Sequence, residues 1–404
     1  MSEHMALENL TVLDLTRVLA GPFCTMMLAD MGANVIKIEV PKGGDDTRSY
    51  PPFRAKNLNG ERESVYFANI NRNKKGITLN LKAPEGKEIF KELVKKADIV
   101  VENYRPGVMD KLGLGYDVLK EINPRIIYAA VSGFGCYGPY HLRPGYDILA
   151  QAMGGMMSIT GSKGGEPTRA GSALGDILGG LHVTIGILAA VNARTITGKG
   201  QRVDVSLMDS MIAATENTAL KYIETGNIPA PMGNRYAAVS PYDSFTCKCG
   251  KVIIAAGNQK LYEKLCNEVL ERPDMITDPR FVDMPGRLAN QDAIAEVIEE
   301  RIKDLTPNEA AELVLAHGIP AGPIMNIKEI LDDPHVKERE MFVEMDHPTL
   351  GKVTVNGCAI KLMDTKPSVR TPAPQLGQNN RDIFEGVLGM TEEQFNTLHE
   401  KQVF

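Results

Sequence analysis

From Leu10 to Val131 strand-like and helix-like stretches alternate with short links between them, and this alternation constrains the fold more than any other feature of the chain. Leu10 to Leu15 reads as a buried strand. The turn Ala20-Gly21-Pro22 leads into a helical stretch from Phe23 to Met31, and Asn34 to Glu39 follows as a second strand, completing a β-α-β unit. Ile77 to Leu81, a helix from Pro84 to Lys96, Ile99 to Glu102, a helix around Tyr116 to Ile122 and Ile126 to Val131 repeat the pattern. Strands separated by helices pair in parallel and are covered on both faces, so this part is an α/β domain. Its first unit lacks Gly-x-Gly-x-x-Gly, which argues against a nicotinamide dinucleotide.

The texture changes further on. Gly226 to Pro241 is rich in Gly, Pro and Asn. After it come a hairpin-like pair, Asp243 to Cys247 and Lys251 to Ala256, and then mostly helical sequence: Lys260 to Val269, Ala293 to Leu305 and Pro307 to Ala316. Residues 1–200 are assigned to a large domain and 201–226 to a linker, although within that stretch Gln201 to Leu207 reads as a strand and Met208 to Ile223 as a helix. Residues 227–330 form a smaller α+β domain, and 331–404 a linker with a C-terminal return to the large domain. Within the last segment Val353 to Leu362 reads as a strand.

With 404 residues the chain can bury more than one core. A net charge of −6 argues against nucleic acid or an anionic membrane as partner. No apolar run is read as approaching a bilayer span, and the first eight residues lack the regions of a signal peptide, so a cytoplasmic enzyme is expected. The six cysteines are scattered. Cys247-Lys-Cys249 has no second pair or histidine to complete a zinc site, and no metal is expected. No Gly-x-Ser-x-Gly elbow is present for serine chemistry.

Asp176 stands in the run Arg169-Ala-Gly-Ser-Ala-Leu-Gly-Asp176-Ile-Leu-Gly-Gly, where small residues leave room for a large ligand. Leu178, Leu181, Ile185 and Leu188 follow at helical spacing, so the carboxylate lies at or just before a helix N-terminus. It reads either as an N-cap or as a reactive carboxylate.

Taken in order, Asp14-Leu-Thr-Arg-Val-Leu-Ala-Gly-Pro22, Gly32-Ala-Asn-Val-Ile-Lys-Ile-Glu39, Val101-Glu-Asn-Tyr-Arg-Pro-Gly107, Gly171-Ser-Ala-Leu-Gly-Asp176, Thr197-Gly-Lys-Gly-Gln201 and Gly318-Ile-Pro-Ala-Gly-Pro323 resemble the family III CoA-transferases of the CaiB/BaiF type. The resemblance runs from about residue 8 to residue 380. It implies a Rossmann-like large domain, a small domain and two subunits threaded as interlocked rings. It also implies a CoA thioester as substrate rather than a resident cofactor, with a free carboxylic acid as the other substrate. The family's nucleophile falls on Asp176. Its CoA contacts fall on Leu79, Lys82, Asn103, Tyr104, Arg105, Lys111 and Tyr146. For Lys82, Lys111 and Arg105 the competing reading is a solvated surface charge, and for Tyr146 a half-buried tyrosine. Arg48 and Tyr50 are further candidates for the acyl pocket.

Two departures sharpen the expectation. The racemases of the superfamily carry Gly-His-Asp where this chain has Gly145-Tyr146-Asp147. A tyrosine, with an ordinary pKa near 10, is poorly matched to α-proton transfer at neutral pH. Formyl-CoA transferase has a glutamine at the position of Leu19 and a run of glycines where this chain has Ala255-Ala-Gly257-Asn258-Gln259. An apolar Leu19 suits a larger acyl group, such as a short dicarboxylate, a hydroxy acid or a carnitine derivative.

Overall fold

A computed structural model describes residues 4–54 and 62–404. They divide into two compact units, the larger comprising Met1–Met157, Arg169–Glu224 and Pro334–Phe404, the smaller Ser158–Thr168 and Thr225–Asp333. The larger unit is built on a six-stranded sheet of β1 (Thr11–Asp14), β2 (Asn34–Glu39), β3 (Lys74–Thr78), β4 (Ile99–Glu102), β5 (Ile127–Ser132) and β6 (Arg202–Ser206), in the order β3-β2-β1-β4-β5-β6. All neighbours are parallel. Successive side chains point to opposite faces. Val12, Val35 and Val101 therefore join Cys24, Leu28, Val183 and Ile187 in one core. Leu13, Ile36 and Val100 join Phe90, Leu93, Phe384 and Phe404 in another.

The covering helices include α1 (Ala20–Asp30), α2 (Pro84–Lys96), α3 (Val108–Leu112), α4 (Tyr116–Ile122), α5 (Asp147–Met153), α6 (Leu174–Thr197) and α7 (Leu207–Ala213). Helix α6 packs on α1 and β5. A Cβ at Gly180 would lie 2.8 Å from the Ala20 carbonyl oxygen, so only glycine lets the two helices approach this closely. At 24 residues α6 is long and apolar enough by composition to cross a bilayer, contrary to the expectation that no run approaches that length. Its glycines and alanines disguise the run. Gly179, Gly180, Val183, Ile187 and Ala190 are buried, whereas Ile185 and Ile196 are exposed.

Two assignments change. Residues 201–226 are not a linker at their start, because Arg202–Ser206 pairs with β5 as the sheet's edge strand. Residues 158–168 belong to the smaller unit, where the Gly233 amide donates to the Gly161 carbonyl and Lys163 faces Asp292. In that unit Tyr242–Cys247, Gly250–Ala255 and Ala321–Pro323 form an antiparallel sheet. Helices Gln291–Ile302 and Pro307–Leu315 supply Ile294, Ile298, Ala310 and Val314 to its core. Asn258 caps the helix Gln259–Lys264 by accepting from the Leu261 amide at 2.9 Å, so Gly257-Asn258-Gln259 forms a strand-to-helix turn.

Candidate active site

Ligands of open parallel sheets bind beyond the carboxyl ends of the strands, where the strand order reverses. Here the reversal lies between β1 and β4. The loop after β1 carries Arg17, Val18 and Leu19, and the loop after β4 carries Asn103, Tyr104 and Arg105. Asn103 accepts from the Arg17 amide at 2.9 Å and donates to the Arg17 carbonyl at 2.7 Å. Its amide is thus committed to tying the two loops together. Val18 has φ of 67°, a strained value for a β-branched residue. Its amide donates to Asp45 at 3.2 Å. Asp45 is anchored in turn by the fully buried Lys37 at 2.9 Å. Burial alone would push the Asp45 carboxyl up, but the Lys37 ammonium outweighs it and holds the group at about 2.

A cavity of about 400 Å3 opens above these loops, lined by Arg17, Leu19, Asn103, Tyr104, Arg105, His141, Arg143, Tyr146 and Asp176 among others. Asp176 is the third residue of α6, whose N-cap is Ala173 with no side-chain cap, so the capping reading does not hold. Among the described residues its carboxylate has no hydrogen bond or ion-pair partner. Burial pushes its carboxyl up to about 7, and the Asp147 charge adds to the shift. Asp147 fixes the start of α6, accepting from the Gly175 amide at 2.8 Å and from the buried Gln151 at 2.9 and 3.1 Å. In the same wall the Ser132 hydroxyl is shut off from solvent with no partner among the described residues.

Leu79 and Lys82 line a neighbouring cavity of about 640 Å3, which shares Arg17, Tyr104 and Val108 with the first. Lys111 lines neither; it is exposed on α3, between Val108 and Leu112, which do line cavities. Tyr50 lines the Asp176 cavity, but Arg48 does not. Arg48 is taken by Glu39 at 2.7 and 2.8 Å and lies over the Phe67 ring. Sequence reasoning missed Arg17, which pairs with Asp46, as well as His141 and Arg143. It also missed Tyr66, whose phenol is pushed up to about 12 by burial and then by the Asp176 charge. Arg17 alone had a signal, as it stands inside the Asp14–Pro22 motif. A carboxylate without a partner beside a cleft rich in guanidinium groups is suited to attack an acyl carbon and to hold anionic substrates.

Comparison with known proteins identifies the family. CoA-transferase family III matches residues 7–380. The chain is 42% identical over 387 residues to the succinyl-CoA:mesaconate CoA-transferase of Haloarcula marismortui, covering 94% of this chain and 96% of that one. It is 38% identical over 389 residues to the succinyl-CoA:glutarate CoA-transferase of Homo sapiens, covering 96% and 87%. A crystal structure of a CaiB/BaiF family protein from Brucella suis superposes with a TM-score of 0.82 at 37% identity, covering 95% of this chain and 99% of that one.

Proposed function

The chain belongs to CoA-transferase family III, and from that premise we propose that Asp176 carries CoA from an acyl-CoA donor to a free carboxylic acid. A carboxylate oxygen of Asp176 attacks the thioester carbonyl; the C–S bond breaks, leaving an aspartyl mixed anhydride and CoA thiolate. The thiolate attacks the aspartyl carbonyl, the anhydride C–O bond breaks, and the donor acid departs as its carboxylate. An acceptor carboxylate then attacks the aspartyl-CoA thioester, and the thiolate expelled returns to the acceptor's acyl carbon, restoring Asp176. No proton is gained or lost over the cycle. Splitting the exchange this way keeps one acyl group activated, as thioester or anhydride, at every stage. The observation that carries this reading is the Asp176 carboxylate, without a partner among the described residues, facing a cavity at the start of α6. Ser132 offers a hydrogen-bond donor in the same wall for oxygens that become anionic.

For substrates we propose a short dicarboxylate acceptor with succinyl-CoA as donor. The relatives named for mesaconate and glutarate support this, as do the half-buried Leu19 for the carbon chain and the exposed Arg143 for a second carboxylate. We further propose an interlocked homodimer acting in the cytoplasm; the exposed Ile185 and Ile196 of α6 suit burial against a second copy. The test is incubation in D2O with succinyl-CoA and a panel of dicarboxylic acids, followed by mass spectrometry of all CoA esters. New CoA esters without α-deuterium are expected from the wild type. Asp176→Ala should retain CoA binding and lose exchange. Near-normal exchange by that variant would sink the mechanism.

A further inference from the structure

The family model matches residues 7–380, yet the 640 Å3 cavity is closed on one side by Lys401 and Gln402, beyond that match. These two residues are held at both ends. On one side the helix Glu392–Glu400 is fixed by a Thr391 capping box and buries Phe395. On the other, Val403 and Phe404 are buried, and Phe404 packs on Phe384 and Phe395 with ring centroids 4.5 and 4.8 Å apart. The Val403 carbonyl accepts from the Asn80 amide at 2.7 Å. Asn80 lies within the Leu79–Lys82 loop that lines the same cavity. Lys401 therefore projects from an anchored backbone.

The cavity pairs apolar walls (Ile38, Leu79, Leu81, Leu112) with ammonium groups at Lys42, Lys82 and Lys401. Its acid, Glu39, is committed to Arg48. Lys401 meets Glu85 at only 3.4 Å, and both side chains are largely exposed, so that pair is weak and easily exchanged. An apolar cavity rimmed by cations is matched to a nucleotide carrying several phosphates. With the thioester at Asp176, the pantetheine arm would pass the shared residues Arg17, Tyr104 and Val108. The outer cavity then receives the adenosine end. Lys401 lines only this outer cavity, so the phosphate it meets is the one farthest from the thioester.

Resting on the transferase reading, we infer that Lys401 is a specificity residue for the 3′-phosphate of CoA, and that the segment after residue 380 completes the nucleotide site. The ammonium acts as a point charge on the phosphate. The test compares succinyl-CoA with succinyl-dephospho-CoA for the wild type, Lys401→Met and Lys401→Glu, alongside calorimetric binding of free CoA and dephospho-CoA. Lys401→Met should raise KM for succinyl-CoA by roughly tenfold, as expected for loss of a charged hydrogen bond, with kcat little altered. It should leave KM for the dephospho substrate unchanged, and Lys401→Glu should widen the loss. Equal effects on both substrates, or none, would overturn the assignment. If the wild type binds CoA with this 3′-phosphate dependence but exchanges no acid, the nucleotide site stands and the transferase reading falls.

Discussion

At the scale of single residues, the chemistry turns on an acid kept half-buried with no counter-ion among the described residues. Asp176 is pushed up to about 7 by burial, with Asp147 adding to the shift, and the proposed nucleophile is its ionised form. The kcat/KM for donor acyl-CoA should therefore rise with pH through a midpoint near 7 and level off above it; a flat profile between pH 5 and 8 would contradict this. Stability runs the other way. The unfolded carboxyl titrates near 3.9, so as pH rises from about 4 to 7 the unfolded state loses its proton first and folding stability falls. Asp176→Asn removes this penalty. Its Tm should exceed that of the wild type by a few degrees at pH 8, with the gap closing near pH 4, as differential scanning fluorimetry can show. The sequence displayed Asp176 because small residues crowd around it. It did not display Arg143, which lines the cavity from a loop, or Tyr66, which feels the Asp176 charge from the helix Val65–Ile70, and it offered Arg48, which Glu39 had already claimed.

At the scale of elements, periodicity worked where burial is one-sided or complete. Asn34–Glu39, Pro84–Lys96, Ile99–Glu102 and Tyr116–Ile122 form where the pattern put them. It slipped at β3, which begins at Lys74 rather than Ile77. Lys74 is a fully buried lysine satisfied by Asp14, Thr25 and Asn71, and nothing local marks a lysine as interior. The helix expected over Met208 to Ile223 is broken after Ala213, with Glu216 at φ of 57° before a second helix starts at Thr218. The strand expected from Val353 to Leu362 is shorter, Gly351–Asn356, paired with Phe342–His347. Helix packing also makes a prediction. Alanine at Gly180 would meet the Ala20 backbone at 2.8 Å, whereas at Gly179 it meets the end of the Leu207 side chain at 2.4 Å. A side chain can rotate away and a backbone cannot. Gly180→Ala should cost about 1–3 kcal/mol in urea unfolding despite the better helix propensity of alanine, and clearly more than Gly179→Ala. The reverse order would show that α1 and α6 have slack.

At the scale of the whole molecule, the α/β class was legible in the alternation of elements, but the course of the chain was not. A reading in contiguous blocks could not foresee that 158–168 joins the smaller unit, because its ties to Gly233 and Asp292 are distant in sequence. Nor could any single-chain pattern show the proposed second subunit. If the rings are interlocked, they part only by unfolding. Labelled and unlabelled dimers mixed in native buffer should then yield no hybrids over days, whereas joint unfolding and refolding should yield them; rapid native exchange would exclude interlocking. The larger unit draws on three stretches of chain, and Phe384, Phe395 and Phe404 finish one of its cores. During synthesis that has a price in time. Ribosomes add roughly 5–20 residues per second, so the sheet face around Ile77 and Leu79 waits tens of seconds for its last aromatic cover, while the smaller unit has all its residues sooner. A nascent chain of this design keeps an apolar sheet face uncovered until its last residues emerge, and loss of Phe404 would strip the ring that packs on Phe384 and Phe395.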